Sequence, residues 1–328
     1  MLRRRLNKAE RGVQPMFSFI GLLGAAIIAA VIVLLALRWS NGPDRFPLAR
    51  TTVPLTAVPF TVVPAGVAPL RPVAAWRLSA PDPRFGGLSA LTVDRGRFLA
   101  LSDSSVLYRF DVPHPGATVD ISELPDGPGP PRWKESRDSE SLARDVVGRG
   151  WWVGFETRNQ LWLYDDTFKH ALGRVNFGTA RWPNNLGIEA MLSRPEGLIL
   201  VPELAHEVVW VAHLQAVSEP LTGVGSKISD MVRLPDGETI VLMRELGLTG
   251  FRVALGALVR TPTGWRVERR VPIDLGHFMN VEGIAAQPRP DGGTRLWLVT
   301  DDNFQPPLHT VLVALDVPPG PWKGRKEN

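Results

Sequence analysis

One pattern, two short apolar runs joined by a glycine-containing turn, recurs along the chain and limits the folds that it can adopt. In each copy the second run ends in a charged residue. The five copies span residues 87–103, 138–156, 187–203, 228–244 and 281–301. Two apolar strands with a tight turn between them are typical of a β-hairpin. A third strand-like run follows four of the copies, at residues 106–110, 161–164, 208–211 and 310–315.

The spacing of the copies predicts the fold class. Counted from Ser89 through Glu140, Glu189, Asp230 and Glu282, the intervals are 51, 49, 41 and 52 residues. A period of about 40–50 residues with three or four strands in each unit is typical of β-propellers. The helical periodicity that alternating α/β units need is largely missing between the hairpins. We therefore predict an all-β chain forming a β-propeller of five blades, or of six if residues 55–80 and 112–136 supply another.

An apolar segment near the start of the chain predicts one transmembrane helix. Phe17–Leu37 holds 21 residues without a charge, and five basic residues precede it. A helix of that length is about 30 Å long, enough to span a hydrocarbon core, and the basic residues favour a cytoplasmic N-terminus. A cleaved signal peptide is the alternative, but its apolar region is shorter and ends in small residues. The run here ends Leu35-Ala36-Leu37-Arg38, which favours an uncleaved anchor.

These features divide the chain into five segments. They are a basic cytoplasmic head (1–15), an anchor or signal sequence (16–38), a proline-rich linker (39–72), the β-propeller domain (73–318) and a basic tail (319–328). The chain has a net charge of +4, but the head contributes +4 and residues 323–328 contribute +2, so the body is slightly acidic. A body of that charge argues against nucleic-acid binding. The chain has no cysteine, which excludes disulfides and thiolate metal sites, and no interaction motif stands out, so we expect a monomer.

Acidic residues recur at two positions of the hairpin. The first strand carries Ser89, Glu140, Glu189, Asp230 and Glu282 near its start, and the second strand is followed by Asp103, Glu156, Glu203, Arg244 and the pair Asp301-Asp302. The start of one strand and the end of its antiparallel partner meet at the same end of a hairpin. The sequence therefore predicts a ring of carboxylates at one mouth of the propeller channel.

Carboxylates that lie this close together repel one another unless they are protonated, paired with a cation or bound to a metal. An all-oxygen set suits Ca²⁺ first, with Mg²⁺ or Mn²⁺ next. The predicted ligands are Asp103, Glu140, Glu156, Glu189, Asp230, Glu282 and Asp301. Arg244 is the predicted anion clamp, and Asp302 or Glu203 the predicted general base. The competing interpretation is that each acid caps a strand or bonds the backbone of a neighbouring blade.

Several of these segments resemble one known family. They are Gly-Leu-Ser at 87–89, Asp-Ser-Glu at 138–140, Gly-Ile-Glu-Ala at 187–190, Ile-Ser-Asp at 228–230, Asn-Val-Glu-Gly-Ile at 280–284 and Thr-Asp-Asp-Asn-Phe at 300–304. Over residues 73–316 the chain resembles the "esterase-like activity of phytase" family. The resemblance implies a secreted or periplasmic bacterial β-propeller, related in architecture to calcium-dependent propeller phytases, and hydrolysis of esters or phosphoesters. The family pattern has Glu-Arg where this chain has Met243-Arg244.

Combined with the anchor, the resemblance predicts a single-pass protein of the bacterial inner membrane. Its C-terminal domain would lie in the periplasm, or be released there if the head is cleaved. The predicted activity is hydrolysis of an anionic or ester small molecule with a divalent cation at the channel mouth. Two alternatives remain: a gluconolactonase-type lactonase propeller, and a non-catalytic binding or scaffold propeller of the cell envelope. Dependence of turnover on metal separates the classes.

Overall fold

The computed structural model describes residues 49–61, 70–130, 134–178, 182, 186–204, 206–212, 215–320 and 322. The predicted head, the anchor over 16–38, most of the linker's first half and most of the tail lie outside these residues. No helix among the residues described is long and apolar enough to cross a membrane.

Each predicted hairpin is present, and each is the inner part of an antiparallel sheet that we name by its order along the chain, repeat 1 to repeat 5. The strands of repeat 1 are β4 (Leu88–Asp94), β5 (Arg97–Ser102), β6 (Val106–Phe110) and β7 (Thr118–Glu123), with β1 (Thr51–Pro54) at the outer edge. Repeat 2 follows the short helix α1 (Lys134–Arg137) and contains β8 (Ser139–Arg144), β9 (Trp151–Phe155), β10 (Gln160–Tyr164) and β11 (Ala171–Asn176).

The remaining repeats have the same order of strands. Repeat 3 contains β12 (Ile188–Arg194), β13 (Gly197–Pro202), β14 (Glu207–Ala212) and β15 (Gln215–Thr222). Repeat 4 contains β16 (Lys227–Arg233), β17 (Thr239–Gly247), β18 (Gly250–Thr261) and β19 (Gly264–Ile273). Repeat 5 contains β20 (Val281–Pro288), β21 (Thr294–Thr300), β22 (Val311–Val317), β3 (Arg71–Ser79) and β2 (Thr56–Pro59). A short parallel pairing of β15 with β19 links the outer edges of repeats 3 and 4.

The first strands of the five repeats are neighbours in a closed ring. Strands β4, β8, β12, β16 and β20 contact one another in that order, and β20 contacts β4. The ring is closed in repeat 5, where β22 from the C-terminal part of the chain pairs with β3 from the N-terminal part. The two stretches considered for a further blade supply strands to these repeats: β7 completes repeat 1, and β2 and β3 complete repeat 5. The all-β, propeller prediction is confirmed.

Apolar side chains fill the space between neighbouring repeats. Trp297 of β21 is 2% exposed and lies between repeats 5 and 1, with its ring edge-to-face against Phe98 at 4.9 Å and stacked with Trp76 at 6.5 Å. Trp151 fills the same kind of position between repeats 1 and 2, beside Leu99 and Phe155. Buried aromatic side chains remove about 150–250 Å² each from water, which explains why most tryptophans of this chain lie in strands. The packing leaves polar side chains at the ends of the inner strands.

Candidate functional site

The first strand of every repeat carries a β-bulge near its start. Pairing with the second strand shifts by one residue at each bulge, and the extra residues are Ser89, Glu140, Glu189, Ser229 and Glu282. A bulge leaves one residue out of the ladder and re-aims its side chain. Glu140, Glu189 and Glu282 come from three different repeats, yet their charges act on one another. The bulges therefore turn these side chains towards a common centre.

Asp230 does not belong to this ring, which corrects the prediction that placed it there as a metal ligand. Strand β16 bulges at Ser229, so Asp230 lies one position further along and its side chain leaves the ring. Its carboxylate accepts hydrogen bonds from the backbone N–H groups of Met231, at 2.7 Å, and of Ile284 in repeat 5, at 2.8 Å. Asp230 therefore joins two repeats.

We expect Asp230→Ala to lower the free energy of unfolding by about 2–4 kcal/mol, because two buried amides would each lose their acceptor. The neighbouring variant Ser229→Ala is the matched control. The Ser229 hydroxyl is buried without a hydrogen-bond partner among the described residues, so its removal should change stability by less than about 0.5 kcal/mol. Urea denaturation of both variants measures this. Equal losses in the two variants would contradict the assigned register.

A second tier consists of the residues that follow the second strands of repeats 1, 2, 3 and 5, together with Arg244, which lies within β17. They are Asp103, Glu156, Glu203, Arg244 and Asp301, and they face Gly87, Asp138, Gly187, Lys227 and Asn280 respectively across the hairpins. Four of these five pairs are joined by a backbone hydrogen bond of 2.8–2.9 Å from the acidic residue's N–H. We call this end of the ring, where first strands begin and second strands end, the mouth.

Five carboxylates at the mouth form two overlapping groups. Oxygens of Asp138, Glu140 and Glu156 lie within 4.8 Å of one another, and so do oxygens of Glu156, Glu189 and Glu203. Glu156 belongs to both groups. All of these side chains are buried except that of Asp138, which is half-buried. We call these five residues the acidic cluster.

Burial and mutual repulsion disfavour ionisation of the cluster. Burial is the main cause that raises the pKa of Glu156 to about 8, with the charges of Asp138 and Glu203 adding to it. Burial likewise raises the pKa of Asp138 to about 6, against the lowering effect of Lys134. The pKa values of Glu140 and Glu189 are raised by burial and then by neighbouring carboxylates. A bound cation would relieve both penalties.

Two lysines flank the cluster, and neither was among the predicted site residues. Lys134 on α1 lies 2.6 Å from an Asp103 oxygen and 3.9 Å from Asp138. Burial opposes its charge, but these carboxylates outweigh burial and raise the pKa of Lys134. Lys227 contacts Oε1 of Glu203. Lys134 lies before its hairpin, where no feature of the repeat marks it, whereas Lys227 lies opposite Arg244 within the repeat.

Arg244 lies at the centre of a hydrogen-bond network next to the acidic cluster. Its Nη1 donates to Oδ1 of Asn280 and to Oε1 of Glu282, and the Asn280 amide nitrogen is 2.9 Å from Glu282 and 3.4 Å from Asp301. Burial lowers the pKa of the guanidinium, but the charges of Glu282, Glu189 and Asp301 outweigh it and the pKa is raised. Met243 packs into the apolar core and Glu245 is exposed, so repeat 4 contributes only Arg244 to this tier.

Asp302 is held by three hydrogen bonds. One oxygen accepts from the N–H groups of Gly87, at 2.8 Å, and Phe304, at 3.1 Å, and the other accepts from the hydroxyl of Thr310 at 2.9 Å. The bond to Gly87 joins repeat 5 to repeat 1. The structure thus surrounds Asp302, one of the two predicted bases, with donors that restrain it.

Glu203, the other predicted base, is less restrained. It is 6% exposed, and its Oε2 has no hydrogen-bond partner among the described residues. A buried carboxylate oxygen without a donor is costly, so its presence within the acidic cluster calls for a bound group. The atoms of the acidic cluster that could ligate such a group are all carboxylate oxygens, and these are the ligands that Ca²⁺ and Mg²⁺ prefer. The residues therefore fit a hard divalent cation.

Comparison with known proteins supports the family but gives little about function. No curated protein matches the chain. Among solved structures, hydrazine synthase of Kuenenia stuttgartiensis aligns with 13% identity and a TM-score of 0.39, covering 70% of this chain and 63% of that one. A mitotic checkpoint complex structure aligns with 15% identity and a TM-score of 0.39, covering 74% of this chain and 64% of that one. The chain thus spans less than two thirds of both.

A β-propeller domain from Myceliophteria thermophila aligns with 12% identity and a TM-score of 0.36, covering 66% of this chain and 68% of that one. The family model described as "Phytase-like: Esterase-like activity of phytase" matches residues 83–304, which include all five repeats except the outer strands at the two ends. The chain therefore belongs to this phytase-like, esterase-like family.

Proposed function

We propose that this protein is a membrane-anchored hydrolase of phosphate or carboxylic esters. Its catalytic domain is a five-bladed propeller on the outer side of a bacterial inner membrane. A divalent cation, with Ca²⁺ as the first candidate, binds at the mouth. The observation that carries the proposal is the Oε2 of Glu203, which lies beside two other buried carboxylates and has no hydrogen-bond partner in the part of the chain that the structure describes. The family and the apolar segment at 17–37 support it.

The acidic cluster divides into ligands and a base in this proposal. Asp138, Glu140 and Glu156 would hold the cation, and Glu203, in the second group with Glu156 and Glu189, would keep one oxygen that has no hydrogen-bond partner among the described residues. Bound there, the cation would act as a Lewis acid on the oxygen of a carbonyl or phosphoryl group. Asp103, Glu282 and Asp301, also predicted as ligands, are instead engaged with Lys134 or with the Arg244 network, and we place them in supporting roles.

The chain's own groups account for the remaining chemistry. Arg244 offers N–H donors in a planar fork, which suits an anionic or carbonyl oxygen. Glu203 Oε2 accepts a proton from the attacking water while the water oxygen bonds to the acyl carbon or phosphorus. The bond to the leaving alkoxide breaks, and the alkoxide leaves as the alcohol after taking a proton from Glu203. Lys227 beside Glu203 keeps that carboxylate oriented.

The test is a turnover assay of the full-length chain after chelation, with aryl phosphates and aryl carboxylic esters as substrates. We expect hydrolysis to appear on addition of Ca²⁺ and to be lost in Glu203→Gln. A rate of hydrolysis that is the same with and without Ca²⁺, or that is unchanged in Glu203→Gln, would overturn the mechanism. Calcium binding without hydrolysis of either substrate class would favour a binding propeller.

A further inference from the structure

Exposed apolar side chains border the mouth beside repeats 4 and 5. Leu246 is 70% exposed, Leu248 is fully exposed, and Phe278 is 59% exposed. Phe251 lies among them and is half-buried. We call these four residues the apolar lip. Elsewhere at the mouth, Leu204 of repeat 3 is 44% exposed, whereas repeats 1, 2 and 5 continue from the second tier with the polar residues Ser104, Thr157 and Asp302.

Backbone geometry makes the lip a continuation of the Arg244 network. Arg244 and Leu246 are two residues apart on β17, so their side chains lie on the same face of the strand. Leu246 pairs directly with Phe251 on β18, which brings Phe251 to that face as well. The Arg244 guanidinium lies 5.9 Å from the centre of the Phe251 ring.

The loop before β20 supplies the other side of the lip. Phe278 is two residues before Asn280, whose side chain accepts a hydrogen bond from Arg244. This loop crosses the start of β18, where the Phe251 N–H donates to the His277 carbonyl at 2.9 Å. Gly250 permits the crossing, because a Cβ there would lie 2.2 Å from the same carbonyl oxygen. The lip thus adjoins both Arg244 and Asn280.

We propose that the apolar lip binds a hydrophobic group of the substrate, so that the preferred substrates are amphiphilic esters or phosphoesters carrying an alkyl or aryl chain. The proposal rests on the proposed function, because it takes the group that reacts to be an ester or phosphoester oriented by Arg244. The polar head of such a molecule would lie against Arg244 and Asn280, and its chain would cover Leu246, Phe251 and Phe278. Continuity with the guanidinium favours a substrate chain over an unrelated occupant of the surface.

Binding of alkylphosphonates tests the lip without requiring turnover. Methyl-, butyl- and octylphosphonate, kept below their micellar concentrations, are titrated into the full-length chain with Ca²⁺ present. Burying a methylene contributes about 0.8 kcal/mol, which corresponds to about a fourfold change in Kd, and partial burial on an open lip should give about twofold. We therefore expect octylphosphonate to bind about 100-fold more tightly than methylphosphonate.

The double variant Leu246→Asn, Phe278→Asn should reduce that ratio to less than about tenfold. The matched control is Val147→Asn, because Val147 is 62% exposed at the opposite end of repeat 2. It should leave the ratio unchanged. A flat chain-length series, absence of binding, or a ratio that survives in the double variant would overturn the proposal. The proposal would also be overturned if the phosphonate series showed no chain-length effect while the protein sedimented with phosphatidylglycerol vesicles and the double variant did not. That result would indicate that the lip contacts a membrane.

The two proposals fail in different ways. If the phosphonate series shows the expected ratio but no ester is hydrolysed, the lip stands as a binding surface and the hydrolase function does not. If esters are hydrolysed with equal kcat/KM for acetyl and octanoyl chains, the hydrolase function stands and the lip does not.

Discussion

Replacing Arg244 by methionine is expected to abolish ester turnover and to lower the free energy of unfolding by about 3–5 kcal/mol. Arg244 donates to both Asn280 and Glu282, and its charge offsets the burial of Glu282, which is 7% exposed. Without the guanidinium, Glu282 would keep the burial and the repulsion from Asp103 that raise its pKa. It would then have to take up a proton at neutral pH or remain charged without a partner.

The matched variant Arg244→Lys keeps the charge but loses the planar fork, so it should retain most of the stability and little of the turnover. Urea denaturation gives the stability, and initial rates give the turnover. If Arg244→Met unfolds at the same urea concentration as the original chain, the network around Arg244 contributes nothing to the fold. If Arg244→Lys is fully active, Arg244 acts only as a charge.

Replacing Glu156 by glutamine is expected to have opposite effects on stability without and with calcium. In chelator, the raised pKa of about 8 means that the Glu156 carboxylate destabilises the fold. The loss of stability begins as pH rises above the ordinary pKa of a glutamate carboxyl and is complete above pH 8. Between these values the folded form still binds a proton that the unfolded form has released. At pH 7 the glutamine variant should therefore be more stable than the original chain by about 2–3 kcal/mol.

With calcium present the order should reverse. Glu156 belongs to both carboxylate groups of the acidic cluster, so its loss removes a charged oxygen from each. We expect the calcium-dependent stabilisation to fall by most of its value in Glu156→Gln. Asp230→Asn is the control, because it also neutralises a buried carboxylate but lies outside the cluster, and it should leave the calcium response intact. A calcium response that persists in Glu156→Gln, or that is lost in Asp230→Asn, would contradict the location of the site.

Much of the architecture followed from the hairpin repeat. The repeat predicted the five inner strand pairs and brought the residues after the second strands to one end. It could not reveal that β16 bulges one residue earlier than the aligned acids imply. Ile228-Ser229-Asp230-Met231 contains two polar residues that either register would accommodate. Only pairing with β17 decides between them, and that pairing places Ser229 in the ring.

Other parts of the site lie outside the pattern for identifiable reasons. Lys134 reaches Asp103 and Asp138 from a four-residue helix between repeats, and no periodicity marks such a residue. The role of Asp302 depends on Gly87, which is 215 residues away in sequence. Contacts that close a ring between the two ends of a chain leave no local signal. The apolar lip is also a feature of tertiary structure, since Leu246 and Phe278 belong to different repeats.

Thermal unfolding of the chelator-treated full-length chain across a Ca²⁺ titration tests whether the acidic cluster holds a divalent cation. A site present only in the folded state stabilises by about 2.7 kcal/mol at a hundredfold excess over Kd. For a domain of this size that is a rise in Tm of about 5 °C. We predict a saturable rise of this order that is lost in Glu156→Gln. A Tm that does not change with Ca²⁺, Mg²⁺ or Mn²⁺ would contradict a cation site in the acidic cluster.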